Sequence, residues 1–332
     1  MDQKDGEGDA SQPTLYVLDP FHPDAMEALG KCPDLRIVLP EEAKMSDYRQ
    51  HADAVMLRSD TRVSAADLEA CRKLKHIVKQ GVGTDNIDLG AAARLGVRVY
   101  NTPGLNAEAV AELALALALS LARRVAEVDR RIRRGETVVR SQTLGRSLSG
   151  KTLGVVGMGH IGNAFARKWV GAMQGPVLAY DPAKSEEQVS GVAPGYCRQV
   201  GHIDELLGSA DVVSLHVPLT DSTRNLISRR EFSLMKPEAI LLNCARGGIV
   251  NEEALADALS SGKLFGAGLD AMEVEPPTLE TYGGLLDRAA NLIITPHIGA
   301  STAEMQSQSG LAAVNTALAV LRGDGQGCNR VV

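Results

Sequence analysis

The segment TLGVVGMGHIG, residues 152–162, limits what this chain can fold into more than any other stretch. An apolar, strand-like run enters Gly157-Met158-Gly159-His160-Ile161-Gly162, a helical pattern follows, and the next strand-like run, PVLAYD, ends in Asp181 nineteen residues after Gly162. That order is the dinucleotide fingerprint of a βαβ unit. Gly157 permits the tight turn, and Gly159 lets backbone amides approach a pyrophosphate. Gly162 allows close helix packing, and the helix N-terminus at His160 and Ile161 favours an anion. Asp181 at the strand end would accept hydrogen bonds from ribose hydroxyls and repel a 2′-phosphate, which favours NAD over NADP. Its ordinary reading is a helix cap before Pro182.

The rest of the chain fits around that unit. Between Pro13 and Pro103 short apolar runs (TLYVLD, LRIVLP, ADAVMLRS, HIVKQG, VRVYNTP) alternate with helical stretches. A second series starts at Lys151 with TLGVVG, PVLAYD, DVVSLHV, AILLNCA, LFGAGLDAM and NLIITPH. Such alternation predicts α/β architecture with two doubly wound parallel-sheet units, Rossmann-like or flavodoxin-like. A length of 332 residues with 44% hydrophobic residues is enough for two cores. A formal charge of -6 provides no basic field for nucleic acid, so none is expected as a partner.

Five scattered cysteines, Cys32, Cys71, Cys197, Cys244 and Cys328, form no C-x-x-C pair, so neither a metal site nor a disulfide framework is expected. Residues 1–13 read as a polar, disordered leader without an apolar export segment, and the longest apolar run, Ala109 to Ala122, contains Glu112 and is too short to span a bilayer. A cytoplasmic location without membrane association is the expectation. The stretch AEAVAELALALALSLARR reads as a helix apolar on almost every face and therefore buried. Arg130, Arg131, Arg133, Arg134 and Arg140 follow it, read as a solvated face or subunit contact rather than an anion site. Residues 301–321 read as a last helix, and the glycine-rich end GDGQGCNRVV as a loose tail.

Three groups that can do chemistry stand at or just beyond the ends of expected strands: Arg246 after AILLNCA, Glu275 in DAMEVEPP and His297 in NLIITPH. Strand ends converge in an open parallel sheet, so the three can meet in one crevice. Taken singly, Arg246 is also a loop charge, Glu275 a solvated acid and His297 a helix cap. The Gly81-Val82-Gly83-Thr84 segment either binds a small carboxylate through its amides or only turns the chain.

The segments GVGTDNID, GMGHIG, NCARGGIVNEEAL, GLDAMEVEPP and TPHIGAST resemble, in order and spacing, the D-isomer-specific 2-hydroxyacid dehydrogenases. The resemblance runs from about Pro13 to Leu321. It implies a discontinuous substrate-binding domain, residues 14–105 plus 300–332, interrupted by an NAD-binding Rossmann domain, 106–299, whose arm at about 106–150 forms a homodimer. It further implies NAD-dependent interconversion of a 2-oxo acid and a D-2-hydroxy acid. Arg246 would anchor the substrate, His297 would be the acid/base, and Glu275 would orient the imidazole. Arg58, Ser59, Val82 and Gly83 would bind substrate; Val217 and Pro218 would line the adenine pocket, and Asp270 and the main chain near Cys244 would lie by the nicotinamide. His216 is read as a neutral strand-end histidine.

The chain departs from relatives at Ala109-Val110-Ala111-Glu112 and in KWVGAMQGP, and it ends without a serine-binding regulatory domain. A serine-feedback form is therefore not expected, while a short phosphoglycerate dehydrogenase stays open. Because some members of the superfamily act as NADH-responsive corepressors, an NADH-sensing interaction protein is the alternative reading.

Overall fold

A computed structural model describes residues 12–41, 47–288 and 291–332, so residues 1–11 of the leader lie outside the described part. The chain divides into two compact units, one of Met1–Asn106 with Ala303–Val332 and one of Ala107–Thr302.

The first unit holds strands β1 (Thr14–Val17), β2 (Arg36–Val38), β3 (Ala54–Leu57), β4 (His76–Lys79) and β5 (Arg98–Asn101) in the order β2-β1-β3-β4-β5, every pair parallel. Successive side chains go to opposite faces, so a strand covered on both sides must be apolar throughout. In β1, Leu15 and Val17 pack with Ala54, Met56, Val78 and the helix Ala303–Leu321, while Tyr16 packs on the other face with Val55, Leu57 and Ile77. The expected loose tail is corrected here. Val331 N donates to Val99 O (2.7 Å) and Asn101 N to Asn329 O (3.1 Å), which lays the last residues antiparallel along the otherwise open edge of β5. Unpaired edge amides and carbonyls attract such a partner, a long-range effect that composition does not reveal.

The second unit holds β6 (Leu153–Val156), β7 (Val177–Tyr180), β8 (Cys197–Gln199), β9 (Val212–Leu215), β10 (Ala239–Asn243), β11 (Leu264–Leu269) and β12 (Leu292–Ile294). They form one parallel sheet ordered β12-β11-β10-β9-β6-β7-β8. Strand β8 escapes the sequence reading: it is three residues long, pairs only with β7, and buries Cys197 alone. The order reverses between β6 and β9, the switch point where open α/β sheets bind ligands.

The Ala/Leu helix runs from Ala107 to Ala122 against the sheet and the helix His160–Met173. Its alanines allow close approach: a Cβ on Gly268 of β11 would lie 3.2 Å from Leu117 Cβ. It is not buried all round, since Glu108, Glu112, Ala116 and Leu119 form an exposed stripe. Arg124, in the left-handed region at φ 55°, ends it and starts a second helix, Val125–Arg133. There Arg131 pairs with Glu127 and Glu136, and Arg133 with Asp129. These arginines thus have local acidic partners. Among the described residues no helix is long and apolar enough to cross a membrane, and no group of three or more metal-binding side chains occurs.

Candidate active site

The loop after β6 is shaped by what its glycines lack. Gly157 sits at φ +95°, and a Cβ there would come within 2.7 Å of His216 O and 2.9 Å of Val217 Cγ1. The glycine turn therefore lies directly on the end of β9, at the switch point. A Cβ on Gly162 would meet Gly157 O at 2.1 Å, so the helix can start this close only without a side chain. Gly159, by contrast, faces open space, with no atom within 4 Å of where its Cβ would stand, and His160 next to it is exposed. Two glycines are needed for packing and the third leaves room for a ligand at the N-terminus of a 14-residue helix.

Asp181 closes the same corner. Its Oδ2 accepts from Met158 N (2.8 Å) and its Oδ1 from Ala183 N (2.9 Å), which fixes a carboxylate beside the glycine loop with further lone pairs left for a diol. The side chain holds the following turn and the glycine loop, and it is not a helix cap, since Ser185 caps the next helix, Glu186–Ser190. His216 Nε2 lies 2.9 Å from Ser214 Oγ, and its ring meets Phe165 edge-on at 5.8 Å. Burial pushes the imidazole down to about 4, so it is neutral near pH 7. The residues around this corner fit a dinucleotide in chemistry: open backbone at a helix start, the Asp181 carboxylate fixed beside it, and the apolar residues Val217 and Pro218 following β9.

The other half of the sheet brings together Arg246, Glu275 and His297. His297 Nδ1 lies 3.0 Å from Glu275 Oε2 and 3.2 Å from Oε1, and Glu275 Oε1 also accepts from Met272 N at 3.1 Å. The hydrogen bond with Glu275 raises the imidazole above its ordinary value against the opposing effects of burial and Arg246. Burial pushes the Glu275 carboxyl up, but the hydrogen bond and charge of His297, the Met272 amide and the Arg246 guanidinium outweigh it, leaving the group below the usual carboxylate value. The pair is therefore an imidazolium carboxylate at the acid side of neutrality, with Nε2 as the remaining nitrogen.

His297 itself is held at φ 56°, a left-handed conformation rare for a side-chain-bearing residue. Asp270, only 2% exposed, accounts for that loop: its carboxylate accepts from Thr295 Oγ1 (2.7 Å), Ile298 N (2.8 Å) and Gly299 N (2.9 Å). In this structure Asp270 holds the turn that carries His297. Cys244 is buried nearby, and burial together with the Asp270 charge pushes its thiol upward, so it stays protonated. Asn243 Nδ2 donates to Arg246 O (2.9 Å) and Ala271 O (3.3 Å), stitching the Arg246 and Asp270 loops together.

In the first unit the C-terminal strand ends gather Arg58, Ser59, Val82 and Gly83. Asp19 accepts from Arg58 N (2.5 Å) and from the Thr61 hydroxyl, and Asn101 Nδ2 holds Val82 O at 2.7 Å, leaving Val82 exposed at 41%. Lys79, 3% exposed, donates to Ser59 Oγ (3.2 Å) and Gln80 O (2.8 Å). The sequence reading missed Asp19, Lys79 and Asn101. The signal was there for Lys79, a cation inside the apolar run HIVKQG.

The chain is similar to known proteins over most of its length. A family profile described as "D-isomer specific 2-hydroxyacid dehydrogenase, NAD binding domain" matches residues 115–299. The hydroxypyruvate reductase of Thermotoga maritima is 40% identical over 90% of this chain and 94% of its own length. The D-3-phosphoglycerate dehydrogenase of Methanocaldococcus jannaschii is 38% identical over 93% of this chain, which spans 58% of that longer protein. Among solved structures, the Aquifex aeolicus D-lactate dehydrogenase complexed with NAD and lactic acid superposes with a TM-score of 0.83, 30% identity, and coverage of 96% of this chain and 99% of that one.

Proposed function

Since this chain belongs to the D-isomer-specific 2-hydroxyacid dehydrogenases, NAD-dependent oxidoreductases of 2-oxo and D-2-hydroxy acids, we propose that Arg246, Glu275 and His297 are its catalytic machinery. The 3.0 Å contact between His297 Nδ1 and Glu275 carries the proposal. It commits one ring nitrogen to the carboxylate, so the proton to be exchanged with substrate is held at Nε2.

In the reductive direction Arg246 pairs with the substrate carboxylate and polarises the 2-oxo group, for which a planar, permanently charged guanidinium is suited. When bound beside the glycine loop, the cofactor would supply the redox chemistry, as NADH giving a hydride to the substrate C2 in reduction and as NAD+ taking it back in oxidation. As negative charge grows on the oxygen, the His297 imidazolium donates its Nε2 proton, and Glu275 holds the ring in place while stabilising its charge. In oxidation neutral His297 takes the proton from the 2-hydroxyl group. Buried Cys244 takes no part in the proton transfer.

We assign the glycine-loop unit to the cofactor, with Gly157, Gly159, His160, Ile161, Gly162, Asp181, Val217, Pro218, Cys244 and Asp270 around it, and NAD preferred over NADP because Asp181 would repel a 2′-phosphate. On the first unit, Arg58, Ser59, Val82 and Gly83 are assigned to a substrate anion. A homodimer is proposed from the apolar side chains left in solvent within residues 106–150: Val125 at 55% exposure, Ile132 at 59% and Leu144 at 70%. The cytosol remains the expected compartment.

The test is oxidation of NADH and NADPH by the purified protein across a panel of 2-oxo acids, with His297→Gln alongside. Turnover of a panel member that depends on His297 and prefers NADH is expected. Equal rates from His297→Gln would remove the histidine from the mechanism.

A further inference from the structure

Three consecutive backbone amides lead up to the carboxylate that orients His297, and a different side chain holds each. Met272 N donates to Glu275 Oε1 at 3.1 Å, Glu273 N to Glu252 Oε1 at 2.8 Å, and Val274 N to the Tyr282 hydroxyl at 2.7 Å; that hydroxyl also donates to Val274 O at 3.2 Å. Beyond Met272, which is buried, the loop stands in solvent. Glu273, Val274, Glu275 and Pro276 are all exposed, Val274 at 51%. An exposed loop with side chains in water is ordinarily the mobile part of a structure.

The two outside anchors sit on helices: Glu252 opens the helix Glu252–Ser260, and Tyr282, only 5% exposed, belongs to the helix Leu279–Arg288. On its other side the loop touches the turn that carries Arg246. A Cβ on Gly247 would fall 2.0 Å from Met272 O and 2.5 Å from Glu273 N, so the two backbones lie in direct contact. Whatever holds residues 273 and 274 therefore also sets where Glu275 stands relative to Arg246 and His297.

From this geometry we infer that Glu252 and Tyr282 are positioning residues for the proton transfer, acting through the loop 272–275 to hold the Glu275 carboxylate against His297 Nδ1. Neither touches His297. The inference rests on the assignment of His297 above and adds two residues to its support.

The chemistry follows from what faces each group. His297 has Glu275 as hydrogen-bond partner, with Arg246 and Asp270 as the other charges near it. The hydrogen bond with Glu275 is the largest influence and favours the charged ring, helped by the Glu275 charge and, least, by the Asp270 charge, while burial and Arg246 oppose it. A loosened loop lets Glu275 move away and removes the largest support for the charged ring, so the imidazole releases its proton at lower pH. Glu252 itself faces Glu273 and Tyr282, and burial followed by the Glu273 charge raises its carboxyl above the ordinary value.

The experiment uses the full chain with NADH bound and follows the His297 ring by NMR through a pH titration, its resonance identified by its loss in His297→Gln. Glu252→Ala removes one anchor, Tyr282→Phe removes the other with almost no change in volume, and Glu252→Gln keeps an oxygen to accept the Glu273 amide. The His297 midpoint is expected to fall by on the order of one pH unit in Glu252→Ala and Tyr282→Phe, and to return in Glu252→Gln. The falling limb of the pH profile for 2-oxo acid reduction moves with it. An unmoved midpoint in folded Tyr282→Phe overturns the inference, and that variant decides alone if Glu252→Ala does not fold. Should the midpoint shift in a protein that reduces no 2-oxo acid, the positioning role stands and the dehydrogenase assignment of His297 falls.

Discussion

The two halves of the second sheet build their ligand surfaces in opposite ways. At the ends of β6 and β7 the work is done by missing side chains, with Gly157, Gly159 and Gly162 packed into six residues and Asp181 alone adding charge. At the ends of β10, β11 and β12 it is done by side chains drawn from positions fifty-one residues apart, Arg246 to His297, and held by a second set that includes Asp270 and Asn243. The first half can accept an anion because backbone is exposed there, and few substitutions fit. In the second half hydrogen bonds fix the orientation of an imidazole, so in the proposed proton transfer its failure would be chemical rather than steric.

Substitutions should separate the halves accordingly. His297→Gln is expected to lower turnover about 10²–10⁴-fold while NADH still binds, as read by fluorescence titration. Loss of NADH binding in that variant would mean the two halves are not separable. Gly162→Ala, which drives a Cβ into Gly157 O, should do the reverse, costing about 1–3 kcal/mol of stability and weakening NADH binding, seen as a lowered Tm and a raised Kd.

The pH dependence isolates the second half. On the proposed acid/base role, reduction would need charged His297 and its rate should fall as pH rises through a midpoint above the ordinary 6.5, while oxidation, needing the neutral ring, should rise over the same interval. A midpoint below 6.5 would show that Glu275 does not govern the ring. Asp181→Ala should improve use of NADPH relative to NADH several-fold with little change in the pH profile; unchanged discrimination would place cofactor choice elsewhere. The smallest effect on turnover is expected from Ile132→Asp, which should shift a homodimer to monomer in sedimentation velocity and leave the pH midpoint in place.

Much of this was legible in the residues alone. Eleven of the twelve strands lie within runs recognisable as apolar stretches between helical patterns, because strands buried on both faces must be apolar throughout. The exception, β8, reads Cys197-Arg198-Gln199, two of its three residues polar, and so leaves no apolar run. The tail escaped for a related reason, since GDGQGCNRVV has loop composition and gains order only by pairing with β5.

By itself the sequence determined the parallel α/β architecture and the glycine corner. Both depend on local rules, apolar runs for buried strands and glycine where a Cβ has no room. Tertiary structure alone decided that Glu275 meets His297 through Nδ1, and that Asp270 holds the His297 turn in a left-handed conformation. It also decided that Lys79 is buried beneath Ser59, and that Glu252 and Tyr282 grip the loop ahead of Glu275. A side chain's proton affinity and orientation depend on neighbours supplied by distant strands, and those neighbours exist only once the sheet order has brought the strand ends together.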